Sequence, residues 1–370
     1  KIKFIYMIKK KILIATGGTG GHVFPAYSLA NYFIKKNYDV NLITDERGFN
    51  YLKEFKTLNI IKISSSPLIK NNVFKFLFSV FIILFSILRS FIYLLLNRPS
   101  VILGMGGYAS FPVCIAAIIL RIKFIIYENN LIIGKANKCL LPFAKKIFVS
   151  YRELEGIPIH YAKKIFVTGN IIREEILYKK NLNIQSNEFV DIKILVLGGS
   201  QAAKVFGEKL PQIFEKIKKS KIPIKVYQQC NSDQNEQLSK FYKKANIDFE
   251  IFNFTNKIID YYSRVNLVIT RSGASVLGEL INLKIPFISV PLPSSADNHQ
   301  FKNAFYYQKN GFGFLIEEKD LNDKLYDHIY SFYKDKSLLK NIFTNQSQYS
   351  DKNIFQNINT CLEKIIYEKN

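Results

Sequence analysis

One unit constrains this sequence more than any other, and it occurs twice. A short apolar run is followed by a glycine-rich turn and then by a helical stretch. The unit appears first at Lys11–Ala15 (KILIA) with Gly17–Gly21 behind it, and it restarts at Lys193–Leu197 (KILVL), which runs into Gly198-Gly199-Ser200. Nine of the 18 glycines fall in three clusters, 17–21, 104–107 and 198–199, each after a predicted strand. Such a turn exposes backbone N–H groups at a helix N-terminus, which favours phosphate.

The segments around these units alternate in the same way. Val40–Thr44, Val101–Leu103, Phe124–Tyr127 and Lys146–Val149 read as strands in the first half, with helices over Pro25–Lys36 and Ser110–Leu120. Ile224–Gln228, Phe249–Phe252, Leu267–Thr270 and Pro286–Val290 read as strands in the second half. Short apolar runs separated by helices predict parallel sheets covered on both faces. The expected fold is α/β, with two Rossmann-like doubly wound domains facing across a cleft, over residues 1–170 and 171–349. The boundary is expected near Gly169–Ile172, and Asn181–Asn187 as a polar loop. An amphipathic helix at about Asn353–Tyr367, within residues 350–370, is free to pack back on the first domain. Ligands of such sheets bind at the carboxyl ends of the strands, so two domains with glycine turns there suit a phosphorylated ligand.

Charge narrows the partners. The 370 residues carry 52 basic and 29 acidic side chains, a formal charge of +23. Nucleic acid, an anionic membrane and anionic substrates are the partners such an excess allows. Only eight of the basic residues are Arg, and Trp is absent, a pattern that suits drift towards A/T-rich codons. No basic–aromatic interleaving on a nucleic-acid motif occurs, so nucleic acid is not expected. The four cysteines and four histidines show no metal-ligand spacing, and no D-x-D occurs. No metal or cofactor is expected, and the cysteines read as reduced and cytosolic. The basic Lys1–Lys11 stretch does not read as a signal peptide. From Phe76 to Leu88 run 13 uncharged, mostly apolar residues bounded by Lys75 and Arg89, and the apolar character continues to Leu96. An interfacial or buried helix is the expectation there, rather than a membrane span.

Motif tests remove several phosphate chemistries. No G-x-x-x-x-G-K-[ST] run and no G-x-S-x-G exist, and G-x-G-x-x-G fails at Val23. A nucleotide hydrolase and an elbow-type hydrolase lose support, and a nicotinamide enzyme stays as a weak alternative.

The stretch Gly17-Gly18-Thr19-Gly20-Gly21-His22-Val23-Phe24-Pro25 resembles the N-terminal signature of the MurG family of lipid-linked glycosyltransferases. Further stretches agree in order: Gly104-Met105-Gly106-Gly107-Tyr108, Glu128-Asn129-Asn130, Gly169-Asn170-Ile171-Ile172-Arg173 and Gly198-Gly199-Ser200-Gln201. Arg271-Ser272-Gly273-Ala274 with Glu279, and Asp297-Asn298-His299-Gln300, complete the set, which covers roughly residues 11–310. One departure stands at Asn129-Asn130-Leu131, where Gln-Asn-Gly is the expected pattern. The resemblance implies the GT-B glycosyltransferase architecture. It also implies transfer of N-acetylglucosamine from UDP-N-acetylglucosamine to the C4 hydroxyl of undecaprenyl-diphospho-N-acetylmuramoyl-pentapeptide (lipid I), with inversion. It further implies a peripheral place on the cytoplasmic face of the bacterial plasma membrane, beside other cell-wall synthesis proteins.

Site roles follow from the resemblance. Glu279 would hold the ribose hydroxyls, with Thr255 and the backbone of Ala274, Ser275, Val276, Leu277 and Gly278 around the uracil. Ser200 and Arg173 would meet phosphate, and Gln300 and Asn130 the donor sugar. Thr19, Gly20 and Gly21 form an anion-binding turn that suits the acceptor diphosphate or the departing charge of the donor. Gly17, Gly18, Gly106, Gly107 and Tyr108 would line the acceptor diphosphate pocket. His22 is the first candidate for general base and Glu128 its rival; His299 reads as structural or as a sugar contact. Plainer roles stay open: Glu279 paired with a nearby Lys, Arg173 in a surface ion pair, His22 held by backbone contacts. The Phe76–Leu96 stretch, flanked by Lys70, Lys75, Arg89 and Arg98, is expected to dock on an anionic membrane, against the alternative of a helix packed wholly in the core. Competing functions are a glycolipid glycosyltransferase on a diacylglycerol acceptor, a UDP-N-acetylglucosamine 2-epimerase and a non-enzymatic binding module.

Overall fold

The structure is a computed structural model that describes residues 10–55, 57–67, 72–178, 191–199, 203–255 and 257–368. Lys70, the polar loop expected at Asn181–Asn187, Ser200 and Gln201 lie outside the described residues. The chain forms two compact units: residues up to Arg173 together with those from Lys352 onward, and Glu174–Asp351.

The first unit begins β1 (Lys11–Ala15), α1 (Gly20–Lys35), β2 (Asp39–Thr44), α2 (Glu46–Leu52) and β3 (Asn59–Lys62). It continues with α3 (Val73–Leu96), β4 (Val101–Gly104), α4 (Ser110–Ile119), β5 (Phe124–Glu128), α5 (Lys135–Leu140), β6 (Lys146–Val149) and β7 (Ile165–Val167). Its seven parallel strands are ordered β3-β2-β1-β4-β5-β6-β7. The order reverses between β1 and β4, whose register sets Ala15 opposite Gly104. The two glycine turns after these strands therefore start side by side, at the place where doubly wound sheets bind ligands.

The second unit repeats the plan. It comprises α6 (Glu174–Tyr178), β8 (Ile192–Leu197), α7 (Lys204–Lys219), β9 (Ile224–Gln229), α8 (Asn235–Lys244), β10 (Asp248–Phe252) and α9 (Ile258–Tyr262). Then come β11 (Leu267–Thr270), α10 (Ala274–Leu283), β12 (Phe287–Ser289), α11 (His299–Lys309), β13 (Phe314–Leu315), α12 (Leu321–Lys334) and α13 (Lys336–Ser347). The six parallel strands are ordered β10-β9-β8-β11-β12-β13, so the reversal lies between β8 and β11. The inner strands β1, β4, β5, β8 and β11 bury nearly every residue, as sheets covered on both faces require. Sequence patterning misses β3, β7 and β13, because edge strands of two to four part-exposed residues carry too short a run to register.

The apolar stretch folds as one continuous helix, α3, of 24 residues, with Lys75 and Arg89 inside it rather than bounding it. The Asn72 side chain caps it by accepting from the Lys75 N–H at 3.1 Å. Its polarity is inverted. The buried stripe is Ser79, Ser86, Ser90 and Leu94, packed towards α4, while Phe74, Leu77, Phe78, Phe81, Leu84, Phe85, Leu88 and Leu95 face outward. Small serines let the helix sit close to its neighbour, and two of the three hydroxyls are used: Ser86 Oγ donates to Ser64 O at 2.6 Å and Ser79 Oγ to Lys75 O at 2.8 Å. A helix packed wholly in the core is thereby overturned. By length and composition α3 is also sufficient to cross a bilayer.

The last helix, α14 (Ile354–Tyr367), belongs to the first unit. Phe355 stacks on Tyr32 with ring centroids 5.1 Å apart, and Tyr38 Oη donates to Glu363 at 3.1 Å. Lys123 Nζ donates to the carbonyls of Ile365 and Glu368, covering helix-terminal acceptors that α14 cannot satisfy itself. Phe355 is 1% exposed, so Phe355→Ala should cost about 3–5 kcal/mol, read as a lower urea midpoint.

Candidate active site

The site of the first unit is built on two backbones that touch. A Cβ placed on Gly107 would lie 2.1 Å from Gly17 O, and one on Gly106 would lie 2.9 Å from His22 Cε1 and Nδ1. Both glycines have left-handed φ, +78° and +87°, so neither position accepts a side chain. The turn after β1 and the turn after β4 thus form one surface with the His22 ring against it. Helix α1 starts at Gly20 and not at Pro25, with an exposed Thr19 as its N-cap and no side-chain cap bond. His22 accordingly sits in the first helical turn, beside the amides of Gly20 and Gly21. Gly18 differs from its expected part: its N–H donates to both oxygens of Asp45, at 3.0 and 3.1 Å, and so is committed to a carboxylate.

Pro25 explains how the next segment joins. Inside α1 it has no N–H, so the helix offers Gly21 O no i+4 donor. Asn129 Nδ2 donates to that carbonyl at 3.2 Å, which ties the end of β5 to the glycine turn. Glu128, 4% exposed, holds the loop that follows. Its Oε1 accepts from Asn130 N and Nδ2, each at 3.1 Å, and its Oε2 from Gly134 N at 2.9 Å and Asn137 Nδ2 at 3.0 Å. Nearby, Ile171 N donates to Tyr127 Oη at 3.0 Å, which fixes the approach to Arg173. The Arg173 guanidinium lies 5.3 Å from the Phe24 ring centroid, over α1. Thr19–His22, Gly106–Gly107, Glu128–Asn130 and Arg173 are therefore drawn together, with Tyr108 exposed at the rim.

In the second unit Glu279 lies in the middle of α10, 4% exposed, and accepts from Tyr262 Oη at 3.0 Å. Ala274, Ser275, Val276, Leu277 and Gly278 form the preceding turns of the same helix. Before it, Arg271 braces the carboxyl ends of β11 and β12. It donates to Val290 O and Pro291 O at 3.3 and 3.2 Å, pairs with Glu318, and lies 4.9 Å from the Phe206 ring centroid on α7. Asn303 Nδ2 donates to Ser272 O at 3.2 Å. Gln300 Oε1 accepts from Leu292 N at 3.0 Å, which orients its amide, and His299 Nδ1 lies 2.8 Å from Ala296 O, a structural contact. Thr255 Oγ1 accepts from Lys257 N at 3.0 Å in a turn after β10. The braces Asp45, Asn137 and Tyr262 escape sequence reasoning, and Asn129 and Arg271 stand in the motifs without a role, because only packing gives these residues partners.

Residues 12–149 match the N-terminal domain of glycosyltransferase family 28, and residues 193–358 match the C-terminal domain of that family. Two doubly wound units carrying these domains make the chain a two-domain glycosyltransferase. A relative from Pelagibacter ubique is 34% identical over 368 residues, 98% of this chain and all of that protein. It is named UDP-N-acetylglucosamine–N-acetylmuramyl-(pentapeptide) pyrophosphoryl-undecaprenol N-acetylglucosamine transferase. The crystal structure of Acinetobacter baumannii MurG superposes with a TM-score of 0.78 at 24% identity, over 96% of this chain and all of that one. The UDP-GlcNAc 2-epimerase of Neisseria meningitidis shares the fold at a TM-score of 0.67 and 15% identity, over 96% of this chain and all of that one. The fold alone thus does not separate transferase from epimerase, whereas the sequence does. The chain belongs to glycosyltransferase family 28 and, within it, to the MurG family.

Contact between the glycine turns leaves no room for a methyl group. Gly107→Ala should abolish transferase turnover and lower the melting temperature, since strain at a left-handed position alone costs about 1–3 kcal/mol. Thermal melting and a UDP-release assay on the same preparation read both effects.

Proposed function

We propose that the protein transfers N-acetylglucosamine from UDP-N-acetylglucosamine to the C4 hydroxyl of undecaprenyl-diphospho-N-acetylmuramoyl-pentapeptide. The observation that carries this is the near full-length similarity to a relative named for that reaction, joined to a first-unit site whose parts converge on His22. In this mechanism the acceptor O4 attacks the anomeric carbon opposite the departing diphosphate. The new C–O bond forms as the bond to UDP breaks, which inverts the centre. The O4 proton passes to His22, which acts as general base. The amides of Gly20 and Gly21, with Thr19 beside them, meet phosphate charge at the start of α1, and Arg173 adds a cation.

Glu128 takes a different part from the one a base would play. Each of its oxygens already accepts two donors. We assign it to holding Asn130 in place for the donor sugar rather than to proton transfer. Glu279, positioned by Tyr262, accepts the ribose hydroxyls, with Ala274–Gly278 and Thr255 around the base and Gln300 towards the sugar. Gly106, Gly107, Gly17 and Tyr108 form the wall for the acceptor diphosphate. Incubation with UDP-N-acetylglucosamine and a short-chain lipid I analogue should release UDP and yield the β-1,4 disaccharide; UDP release without disaccharide rejects the assignment. His22→Ala should lower kcat by about 10²–10⁴ with little change in KM, whereas an unchanged kcat removes His22 as base.

The outward face of α3 supports a peripheral place on the cytoplasmic face of the bacterial plasma membrane. Phe78, Phe81 and Phe85 are exposed on it, and Lys75, Arg89 and Arg98 are the basic residues around it. An anionic bilayer attracts such cations while the aromatic face enters its surface. In vesicle flotation with anionic lipids, changing these three phenylalanines to Ser should abolish recovery in the vesicle fraction without altering the melt. Equal recovery of variant and parent rejects docking through α3.

A further inference from the structure

Asp45 stands between the glycine turn and the outward-facing helix, and no step of the proposed reaction uses it. It follows β2 and is 4% exposed, a depth at which a carboxylate persists only when donors surround it. Gly18 N donates to both of its oxygens, Gly48 N donates to Oδ1 at 2.8 Å, and Ser65 Oγ donates to Oδ2 at 2.8 Å. A Cβ on Gly17 would lie 3.2 Å from the Asp45 carboxylate carbon, so the carboxylate occupies space that a side chain at Gly17 would need.

Ser65 continues the connection outward. Its neighbour Ser64 accepts from Ser86 Oγ of α3 at 2.6 Å, and Ser66 Oγ donates to Ser79 Oγ of α3 at 3.3 Å. Ser79 and Ser86 are 1% and 0% exposed and belong to the stripe that seats α3 on the unit. A cavity of about 550 Å³ is lined by Asp45, Ser64 and Ser65 and, from α3, by Ile82 and Arg89, so α3 faces Asp45 across open space here. Between α3 and Asp45, hydrogen bonds through segment 64–66 therefore make the connection.

We propose that Asp45 is a positioning residue for the Gly17–Thr19 turn, and that its bond to Ser65 couples this turn to α3, so that a bilayer covering α3 raises turnover. The coupling rests on the docking of α3 and on the turn's part in the site, both as proposed above. A ligand shifts a conformation only by binding one state better than another. Here the bilayer favours the seated α3, the serines carry that seating to segment 64–66, and Ser65 carries it to Asp45 and Gly18.

The test uses the full chain, the short-chain lipid I analogue that stays in the supernatant, and vesicles of phosphatidylglycerol with phosphatidylethanolamine. Asp45→Asn replaces one acceptor oxygen by a donor. It should lower kcat about 10-fold or more with donor KM within about twofold of the parent, in protein whose circular dichroism is unchanged. A kcat within about twofold of the parent overturns the positioning role. Ser65→Ala leaves the Gly18 and Gly48 bonds in place. It should keep the vesicle-free rate and flotation of the parent, yet lose the roughly fivefold stimulation that vesicles give the parent. Stimulation of Ser65→Ala equal to the parent's, or a parent that floats without being stimulated, overturns the coupling. A parent that does not float overturns the docking of α3 itself, and the Asp45→Asn arm still decides the positioning role.

Discussion

The structure of the site depends on one close approach, the backbone of Gly107 against the carbonyl of Gly17. Parallel strands β1 and β4 are neighbours at the point where the sheet order reverses, so their following turns leave the sheet side by side. Because neither turn carries a side chain at the contact, the turns can merge into one surface of peptide groups. His22, in the first turn of α1, then sets its ring against Gly106. Any Cβ at either glycine would push the turns apart and take His22 with them.

Buried carboxylates do most of the positioning around this surface, and each is stabilised by the same rule. A charge removed from water persists only where hydrogen-bond donors replace the lost hydration. Asp45 gathers the amides of Gly18 and Gly48 with Ser65, and Glu128 gathers Asn130, Gly134 and Asn137. Glu279 in the second unit is met by Tyr262. The loops are irregular, and without these acceptors their amides would lack partners. Pro25 works in the opposite sense: it withdraws a donor from inside α1, and Asn129 enters from β5 to replace it.

Helix α3 reverses the usual distribution of polarity, with serines inward and phenylalanines and leucines outward. For a surface in water this is unfavourable, since exposed apolar area costs roughly 25 cal/mol per Å². It is the arrangement that suits an apolar medium outside the protein. The formal charge of +23 suits the proposed docking, since a diffuse positive field is attracted to an anionic surface.

Much was legible in the chain alone. The apolar runs at 11–15, 101–103 and 193–197 specified buried parallel strands, because runs this short, bounded by turn residues, suit a sheet covered on both faces. The glycine clusters marked where backbone would be exposed to a ligand, and the ordered motifs marked the family. What the sequence could not decide was contact. Gly17 and Gly107 are 90 positions apart, and only the strand order makes them touch. From the sequence Glu128 reads as a rival base, and only the structure shows the four donors that it gathers. The apolar stretch of α3 predicts a helix from either direction, but which face turns outward was set by the serine stripe meeting α4 and segment 64–66. Local pattern determines elements and backbone freedom; the pairing of distant polar groups is decided only when burial removes water and each group must find a partner inside the protein.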